Sequence, residues 1–130
     1  MSSAMRSKRI LIVDDEKDIT DTFKIALEQQ QEGFEVITYN DPDLALSQFK
    51  ENWFDLILLD IRMPKMTGFE LYRRLNEIDS KPKVCFITAF DIYYDEFKKV
   101  FPSLEVKCFL RKPISTPDLV EQVKLQFRTT

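Results

Sequence analysis

The chain has 130 residues, of which 44% are hydrophobic and 32% charged, and its formal net charge is −3. These values fit one globular domain that buries its own core, and they exclude a disordered or fibrous chain. The negative charge gives no reason to expect nucleic-acid binding, and no apolar run reaches the roughly 18 residues of a membrane span.

We predict a single cytoplasmic domain over residues 8–128, with no output domain after it in this chain. Residues 1–7 are short and polar, which is unlike a signal peptide, and they are expected to be disordered or a remnant of cloning. No repeat or linker interrupts the rest of the chain.

Two residue types are nearly or wholly missing, and their scarcity excludes several kinds of chemistry. The chain has no histidine, so His-based zinc sites, Ser-His-Asp triads and a phosphohistidine in this chain are excluded. Only two glycines are present, which excludes glycine-rich phosphate loops. Cys85 and Cys108 lie in apolar strand-like runs, and we predict two buried free thiols rather than a disulfide or a metal pair.

The first half of the chain alternates β-branched runs with amphipathic segments. Strands are predicted over residues 9–13, 34–39 and 54–60. Between the first two strands, the spacing of Ile19, Phe23, Ala26 and Leu27 predicts a helix that ends near Gln31 and Gly33. Asp41 and Pro42 form an N-cap and a first helical position, so a second helix with Ala45, Leu46 and Phe49 inward begins there.

The second half repeats this alternation. Thr67 and Glu70 have the spacing of a capping box and begin a third helix, with Leu71, Leu75 and Ile78 along its apolar face. Further strands are predicted over residues 84–87 and 106–110. A fourth helix carries Tyr93, Phe97 and Val100 on one face, and a fifth begins at Thr116 with Leu119, Val123 and Phe127 inward. Five strands alternating with five helices predict an α/β domain with a parallel sheet and helices on both faces.

Asp60 is the most informative single residue, because it ends a strand that is otherwise apolar on both faces. A carboxylate at the end of a buried strand is costly unless a positive or hydrogen-bonding group meets it. The carboxyl ends of parallel strands share one edge of the sheet, where ligands bind in open α/β folds. The side chains expected at this edge are Asp14, Asp15, Asp60, Thr88 and Lys112.

These residues define a candidate site for phosphoryl transfer. Three carboxylates against one ammonium call for a further cation, and an all-oxygen set with few ligands suits Mg²⁺ or Mn²⁺. A carboxylate beside such an ion can attack phosphorus, while Lys112 and Thr88 stabilise the transferring oxygens. Asp60 would be the nucleophile.

Taken singly, each residue has a simpler explanation. Asp14 or Asp15 could cap the first helix, Thr88 could be an ordinary strand end, Lys112 a solvated charge, and Phe109 a packing residue. Their occurrence together, in the order Asp-Asp, Asp, Thr, Lys-Pro at successive strand ends, favours one shared site.

With this order of motifs, the chain resembles a response-regulator receiver domain of two-component signalling, similar to the chemotaxis regulators, from about residue 8 to residue 128. The resemblance implies a flavodoxin-like fold with strand order 2-1-3-4-5 and Asp60 as phospho-acceptor. It further implies that Asp14, Asp15, Asp60 and the backbone carbonyl of Arg62 hold the metal.

The resemblance also assigns roles on the other side of the site. It implies that Lys112 contacts the phosphoryl group before a cis Pro113, and that Thr88 and Phe109 are the switch residues. Many relatives have tyrosine where this chain has Phe109, so a hydroxyl contact is lost here. Arg62 and Phe90 would flank the path of a hydrolytic water, which suggests slow loss of phosphate.

The implied partners are a histidine kinase or phosphotransfer protein and a downstream protein, with neither nucleic acid nor membrane. The downstream partner would bind the face formed by the fourth predicted helix, the fifth strand and the fifth predicted helix. The chain itself would be a monomer or a phosphorylation-dependent dimer. Basic residues on this face could meet an acidic partner or simply be solvated. They are Lys98, Lys99, Lys107 and Arg111, beside Phe101.

Two other proteins with related chemistry or fold fit less well. An aspartyl-phosphate phosphatase of the haloacid-dehalogenase type needs Asp-x-Asp-x-Thr on its first strand, whereas Asp60 lies on the third. A flavodoxin-like electron carrier needs a hydroxyl- and glycine-rich loop after the first strand, and Asp14, Asp15 and Glu16 would repel a flavin phosphate there.

Overall fold

The computed structural model describes residues 7–89, 99 and 108–128, and these build a five-stranded parallel sheet in the order β2-β1-β3-β4-β5. The strands are β1 (Arg9–Val13), β2 (Glu35–Tyr39), β3 (Leu56–Asp60), β4 (Lys83–Thr88) and β5 (Cys108–Arg111). The described helices are α1 (Lys17–Glu28), α2 (Pro42–Gln48), α3 (Gly68–Ile78) and α4 (Thr116–Arg128). The helix α4 is the fifth helix of the sequence prediction, and the predicted fold class and strand order are confirmed.

The sheet separates two hydrophobic cores. Alternate residues of β3 face opposite sides, so Ile57 and Leu59 pack with α2 and α3, whereas Leu56 and Leu58 pack with α1 and α4. All five residues of β3 are buried. This two-sided burial explains why the strand reads as a continuous apolar run rather than an alternating one.

Two of the predicted helix starts are capped by the expected side chains. The Asp41 carboxylate accepts from the Asp43 N–H at 3.0 Å, with Pro42 at the first helical position. The Thr67 hydroxyl accepts from the Glu70 N–H at 3.1 Å. These caps satisfy backbone donors that a helix start leaves open, so the local sequence determines where α2 and α3 begin.

Some predicted ends and faces differ from the structure. The helix α1 ends at Glu28, a turn before Gln31, while Gly33 has a φ of 69° in the turn that follows. Phe49 lies just beyond α2, although it still packs on the core. Ile78, predicted to face inward, is the last residue of α3 and is 40% exposed.

The prediction of two free thiols is wrong, because Cys85 and Cys108 form a disulfide. They are direct partners in the pairing of β4 with β5, and their Cα atoms are 4.6 Å apart. That separation lies within the range that disulfides span, about 4.4 to 6.8 Å. Their separation of 23 positions along the chain gave no sign that the strand register would place them opposite each other.

Several predictions fall on residues outside the described ranges. They are the N-terminal segment up to residue 6, Phe90, the fourth predicted helix with Tyr93, Phe97 and Val100, the start of the fifth predicted strand, and Lys98, Phe101 and Lys107 of the proposed output face. Among the helices that are described, none combines the length and apolar character of a membrane span.

Candidate functional site

Three carboxylates converge at the carboxyl edge of the sheet. Asp14, Asp15 and Asp60 each offer an oxygen, and these oxygens lie within 4.8 Å of one another. Asp14 and Asp60 are buried, with 2% and 5% exposure, whereas Asp15 is exposed. The predicted proximity of these three acidic residues is confirmed, because each ends or follows a central strand of a parallel sheet.

The end of β1 holds Asp14 in place. Its backbone N–H donates to the Tyr39 carbonyl at 3.1 Å, one step beyond the last residue pair of β1 and β2. Its Oδ1 accepts from the Glu16 N–H at 2.9 Å. The N-cap of α1 is Glu16, so Asp14 fixes the turn before the helix and keeps its second oxygen, Oδ2, for the site.

Lys112 supplies the positive charge that the buried carboxylates require. Its Nζ lies 2.8 Å from Asp14 Oδ2, 3.6 Å from Asp60 Oδ2 and 3.6 Å from Glu16 Oε1. The backbone N–H of Lys112 donates to the Thr88 carbonyl at 2.7 Å, which ties the end of β5 to the end of β4. The predicted cis peptide between Lys112 and Pro113 is confirmed.

Burial and the neighbouring charges shift the pKa values of Asp14, Asp60 and Lys112. Burial, together with the charge of Asp14, raises the pKa of Asp60 to about 7, against the opposing effect of Lys112. Burial likewise raises the pKa of Asp14. Burial alone would lower the pKa of Lys112, but its bond to Asp14 and the charge of Asp60 raise it above its usual value. The site is therefore short of positive charge.

The donor set fits a hard divalent cation. Asp14 Oδ2 is buried and faces the ammonium of Lys112, whose Nζ lies 2.8 Å away. Carboxylate oxygens are the ligands that Mg²⁺ and Mn²⁺ prefer, and sulfur and imidazole are absent from the cluster.

Thr88 and Phe109 lie on β4 and β5, the two strands that follow β3 in that half of the sheet. Thr88 ends β4, is 6% exposed and pairs with Arg111. Phe109 pairs with Phe86 across the strands, and their rings stack at a centroid distance of 5.5 Å. The Phe109 side chain is half-buried.

Two residues at the site, Asn40 and Gly68, are not among those predicted from the sequence. Asn40 follows β2, the one strand for which no polar end residue was considered, and its amide donates to the Asp14 carbonyl at 2.8 Å. A Cβ atom added to Gly68 would lie 2.3 Å from the Asp60 carbonyl oxygen. A search of all five strand ends would have found Asn40, whereas the need for glycine at position 68 depends on a backbone approach that the sequence does not show.

Arg62 follows Asp60 by two positions and has an exposed side chain. Its backbone N–H hydrogen-bonds to the Asp60 carboxylate, which partly offsets the rise in the Asp60 pKa. The loop after β3 therefore contacts the carboxylate through its backbone.

A family model, curated relatives and solved structures all indicate the same protein family. The family model for the response regulator receiver domain matches residues 10–124. A curated relative is the alkaline phosphatase synthesis transcriptional regulatory protein PhoP of Bacillus subtilis, 33% identical over 123 residues, which are 94% of this chain and 49% of that protein. The chain spans about half the length of such curated relatives.

Two solved structures with similar folds share 30% sequence identity with the chain. A CheY-like receiver domain protein from Methanospirillum hungatei has a TM-score of 0.79, with 93% of this chain and 94% of that chain covered. The response regulator TrrA from Thermotoga maritima, solved in complex with Mg²⁺-BeF, has a TM-score of 0.71 and covers 91% and 97%.

The fold and the acidic edge define a phospho-accepting signalling module of the two-component class. The chain belongs to the response regulator receiver domain family. Domains of this family are signalling switches that bind Mg²⁺ at an acidic pocket and interact with histidine kinases or phosphotransfer proteins and with downstream effectors.

Proposed function

We propose that Asp60 is the residue that accepts the phosphoryl group. The observation that carries this proposal is the position of its carboxylate, buried at the carboxyl edge of the central strand, 3.6 Å from Lys112 and within reach of Asp14 and Asp15. Burial keeps water from solvating the carboxylate, and its raised pKa marks a group held in an energetically unfavourable environment, which is common at functional sites.

Mg²⁺, or Mn²⁺ in its place, is the proposed cofactor. Oxygens of Asp14, Asp15 and Asp60 and the backbone carbonyl of Arg62 would hold it. When bound, the ion neutralises charge on the carboxylates and on the oxygens of the transferring group. The convergence of three carboxylates, two of them buried, on the single charge of Lys112 supports this assignment.

In the proposed reaction an oxygen of Asp60 forms a bond to phosphorus as the bond from phosphorus to the donor breaks. The electron pair of the broken bond leaves with the donor, a phosphohistidine of a kinase or phosphotransfer protein, or a small acyl phosphate. This chain has no histidine, so a phosphohistidine donor belongs to another chain. Lys112 and the Thr88 hydroxyl would stabilise the phosphoryl oxygens.

The new aspartyl phosphate would then change the partner-binding face. Phosphorylation adds roughly −1.5 to −2 of charge and three acceptor oxygens. Thr88 and Phe109 are the proposed switch residues, since Thr88 ends β4 beside Lys112 and Phe109 stacks on Phe86 in the next strand. The output face would include α4, Lys99 and Arg111 and would bind a downstream protein or a second phosphorylated copy.

The proposal also includes the extent of the domain, its location in the cell and its activity on its own phosphoryl group. The domain extends over residues 8–128, acts in the cytoplasm, and assists its own phosphorylation and dephosphorylation without turning over an external substrate. No contact among the described residues of the site favours a phosphatase or a flavin carrier.

The experiment that tests this function is intact-mass measurement after incubation with acetyl phosphate. With Mg²⁺ the parent should gain one phosphoryl group, and with EDTA it should gain none. The matched control is Asp55→Asn, which removes a carboxylate at the opposite end of β3, where Asp55 accepts from the Arg9 N–H. The proposal fails if the Mg²⁺-treated parent gains no mass, or if Asp60→Asn gains as much as the parent.

A further inference from the structure

Asn40 makes two hydrogen bonds that link the end of β2 to the loop carrying Asp14 and Asp15 and to the helix α1. Its Nδ2 donates to the Asp14 carbonyl at 2.8 Å and to the Thr20 hydroxyl at 3.0 Å. Thr20 is fully buried and itself donates to the Lys17 carbonyl at 3.1 Å. Since both partners of Asn40 are acceptors, the orientation of the amide group is determined by its contacts.

The register of the sheet explains why a side chain is needed at this point. In the parallel pairing of β1 with β2, the Glu35 N–H donates to the Lys8 carbonyl at 2.9 Å. Six residues further along both strands, the same pattern would pair the Asp41 N–H with the Asp14 carbonyl. The chain has left β2 by then, because Asp41 is the N-cap of α2. The amide of Asn40 takes the place of that backbone donor.

The peptide between Asp14 and Asp15 has a demanding geometry. Consecutive side chains of a strand point to opposite faces, so two adjacent aspartates reach one point only if the chain leaves the strand between them. The chain bends at Asp15, and oxygens of Asp14 and Asp15 lie within 4.8 Å of each other and of Asp60. The Tyr39 carbonyl fixes the N–H of Asp14, and Asn40 fixes its carbonyl.

We infer that Asn40 is a positioning residue for the divalent-cation site, acting through the backbone of Asp14. Its amide holds the Asp14–Asp15 peptide in the orientation that lets both carboxylates face the ion. The inference rests on the proposed function, because it concerns the ion that the acidic cluster would bind. It adds the residue that follows β2, a strand that supplies none of the proposed ligands.

The test compares two variants of Asn40 with the parent by calorimetric titration with Mg²⁺. Asn40→Ala removes the donor. Asn40→Asp keeps the shape, removes the donor and adds a negative charge near the cation. Charge alone would tighten Mg²⁺ binding to Asn40→Asp, whereas loss of positioning should weaken binding in both variants, by on the order of 10-fold. Asn76→Ala, near the carboxyl end of α3, is the matched control and should bind like the parent.

A second readout separates positioning from general loss of structure. Asn40 is exposed, so water can solvate the Asp14 carbonyl once the amide is gone. The melting temperatures of both variants in EDTA should therefore stay within a few degrees of the parent value while Mg²⁺ affinity falls. An effect on the melting temperature with unchanged affinity would overturn the inference, as would tighter binding by Asn40→Asp.

The two levels of the proposal can fail separately. If the parent binds no Mg²⁺, the proposed function and the role of Asn40 fall together. If the parent binds Mg²⁺ and both Asn40 variants bind it as tightly as the parent, the metal site of the proposed function stands and the role of Asn40 is wrong.

Discussion

Asp60 carries its charge at a place where burial and neighbouring carboxylates oppose it, and this has a measurable consequence for stability. The pKa of Asp60 in the fold is about 7, whereas an unfolded aspartate has a pKa of about 3.9. Between these values the folded chain keeps a proton that the unfolded chain has lost. Raising the pH through this window therefore destabilises the fold, and above it the loss is complete.

We predict that, in EDTA, the free energy of unfolding of the parent falls as pH rises from about 4 to about 7 and then levels off. Asp60→Asn should lose most of this slope and be more stable than the parent at alkaline pH by roughly 2 to 4 kcal/mol, since one pKa unit corresponds to roughly 1.4 kcal/mol. Urea denaturation across this pH range measures both. Equal slopes for parent and variant would refute the assignment of the raised pKa.

The acidic residues of the site were predictable one by one, because each lies at a strand end and parallel strands bring such ends together. Lys112 was predictable for the same reason. Asn40 and Gly68 were not found, because their importance lies in contacts with backbone atoms of Asp14 and Asp60. Sequence patterns indicate where side chains lie more readily than where two backbone segments approach.

Gly68 begins α3 and shows how closely that helix packs on the end of β3. Its N–H donates to the Ile61 carbonyl at 2.8 Å, and an added Cβ would lie 2.3 Å from the Asp60 carbonyl oxygen. The helix α3 can lie this close to the end of β3 only with glycine at the contact.

Gly68→Ala should push α3 away from β3, destabilise the fold by about 2 kcal/mol as overpacking commonly does, and slow Mg²⁺-dependent phosphorylation. Gly33→Ala is the control, because its φ of 69° makes alanine unfavourable, by about 1 kcal/mol, far from the acidic cluster. That variant should lose stability without slower phosphorylation. Parallel behaviour of the two variants in both assays would disprove a specific contact at Asp60.

The disulfide between Cys85 and Cys108 joins β4 to the edge strand β5. It was missed because a sequence separation of 23 residues says nothing about which residues face each other across two strands. The apolar runs that contain the two cysteines correctly predicted their burial. Cys85 is 1% exposed and Cys108 is 4% exposed. Burial was thus a property of the local pattern, whereas pairing was a property of the register.

We predict that complete reduction lowers the stability of the parent by about 3 kcal/mol and its melting temperature by roughly 10 °C, from the entropy of the closed loop. Thermal denaturation with and without a dithiol reductant measures the change, with thiol titration in denaturant to confirm the redox state. The double variant Cys85→Ala and Cys108→Ala should be insensitive to reductant. A parent that shows no reducible bond, or no change on reduction, would contradict the pairing.

For the whole molecule, the alternation of apolar runs was enough to predict a parallel α/β sheet with helices on both faces. The strand order came from the resemblance to receiver domains, because hydrophobic periodicity does not distinguish the possible orders. The confirmed order places β1 and β3 side by side at the centre, and this adjacency brings Asp14 and Asp15 next to Asp60. The site is therefore a product of the topology as much as of the residues.

The central claim is that one carboxylate at the end of β3 accepts the phosphoryl group, and locating the modification tests it most directly. After treatment with acetyl phosphate and Mg²⁺, fragment-mass analysis of the intact chain should place the added phosphoryl group on Asp60, and Asp60→Asn should yield no labelled fragment. A phosphoryl group found on Asp14, Asp15 or any other residue of the parent would contradict the account.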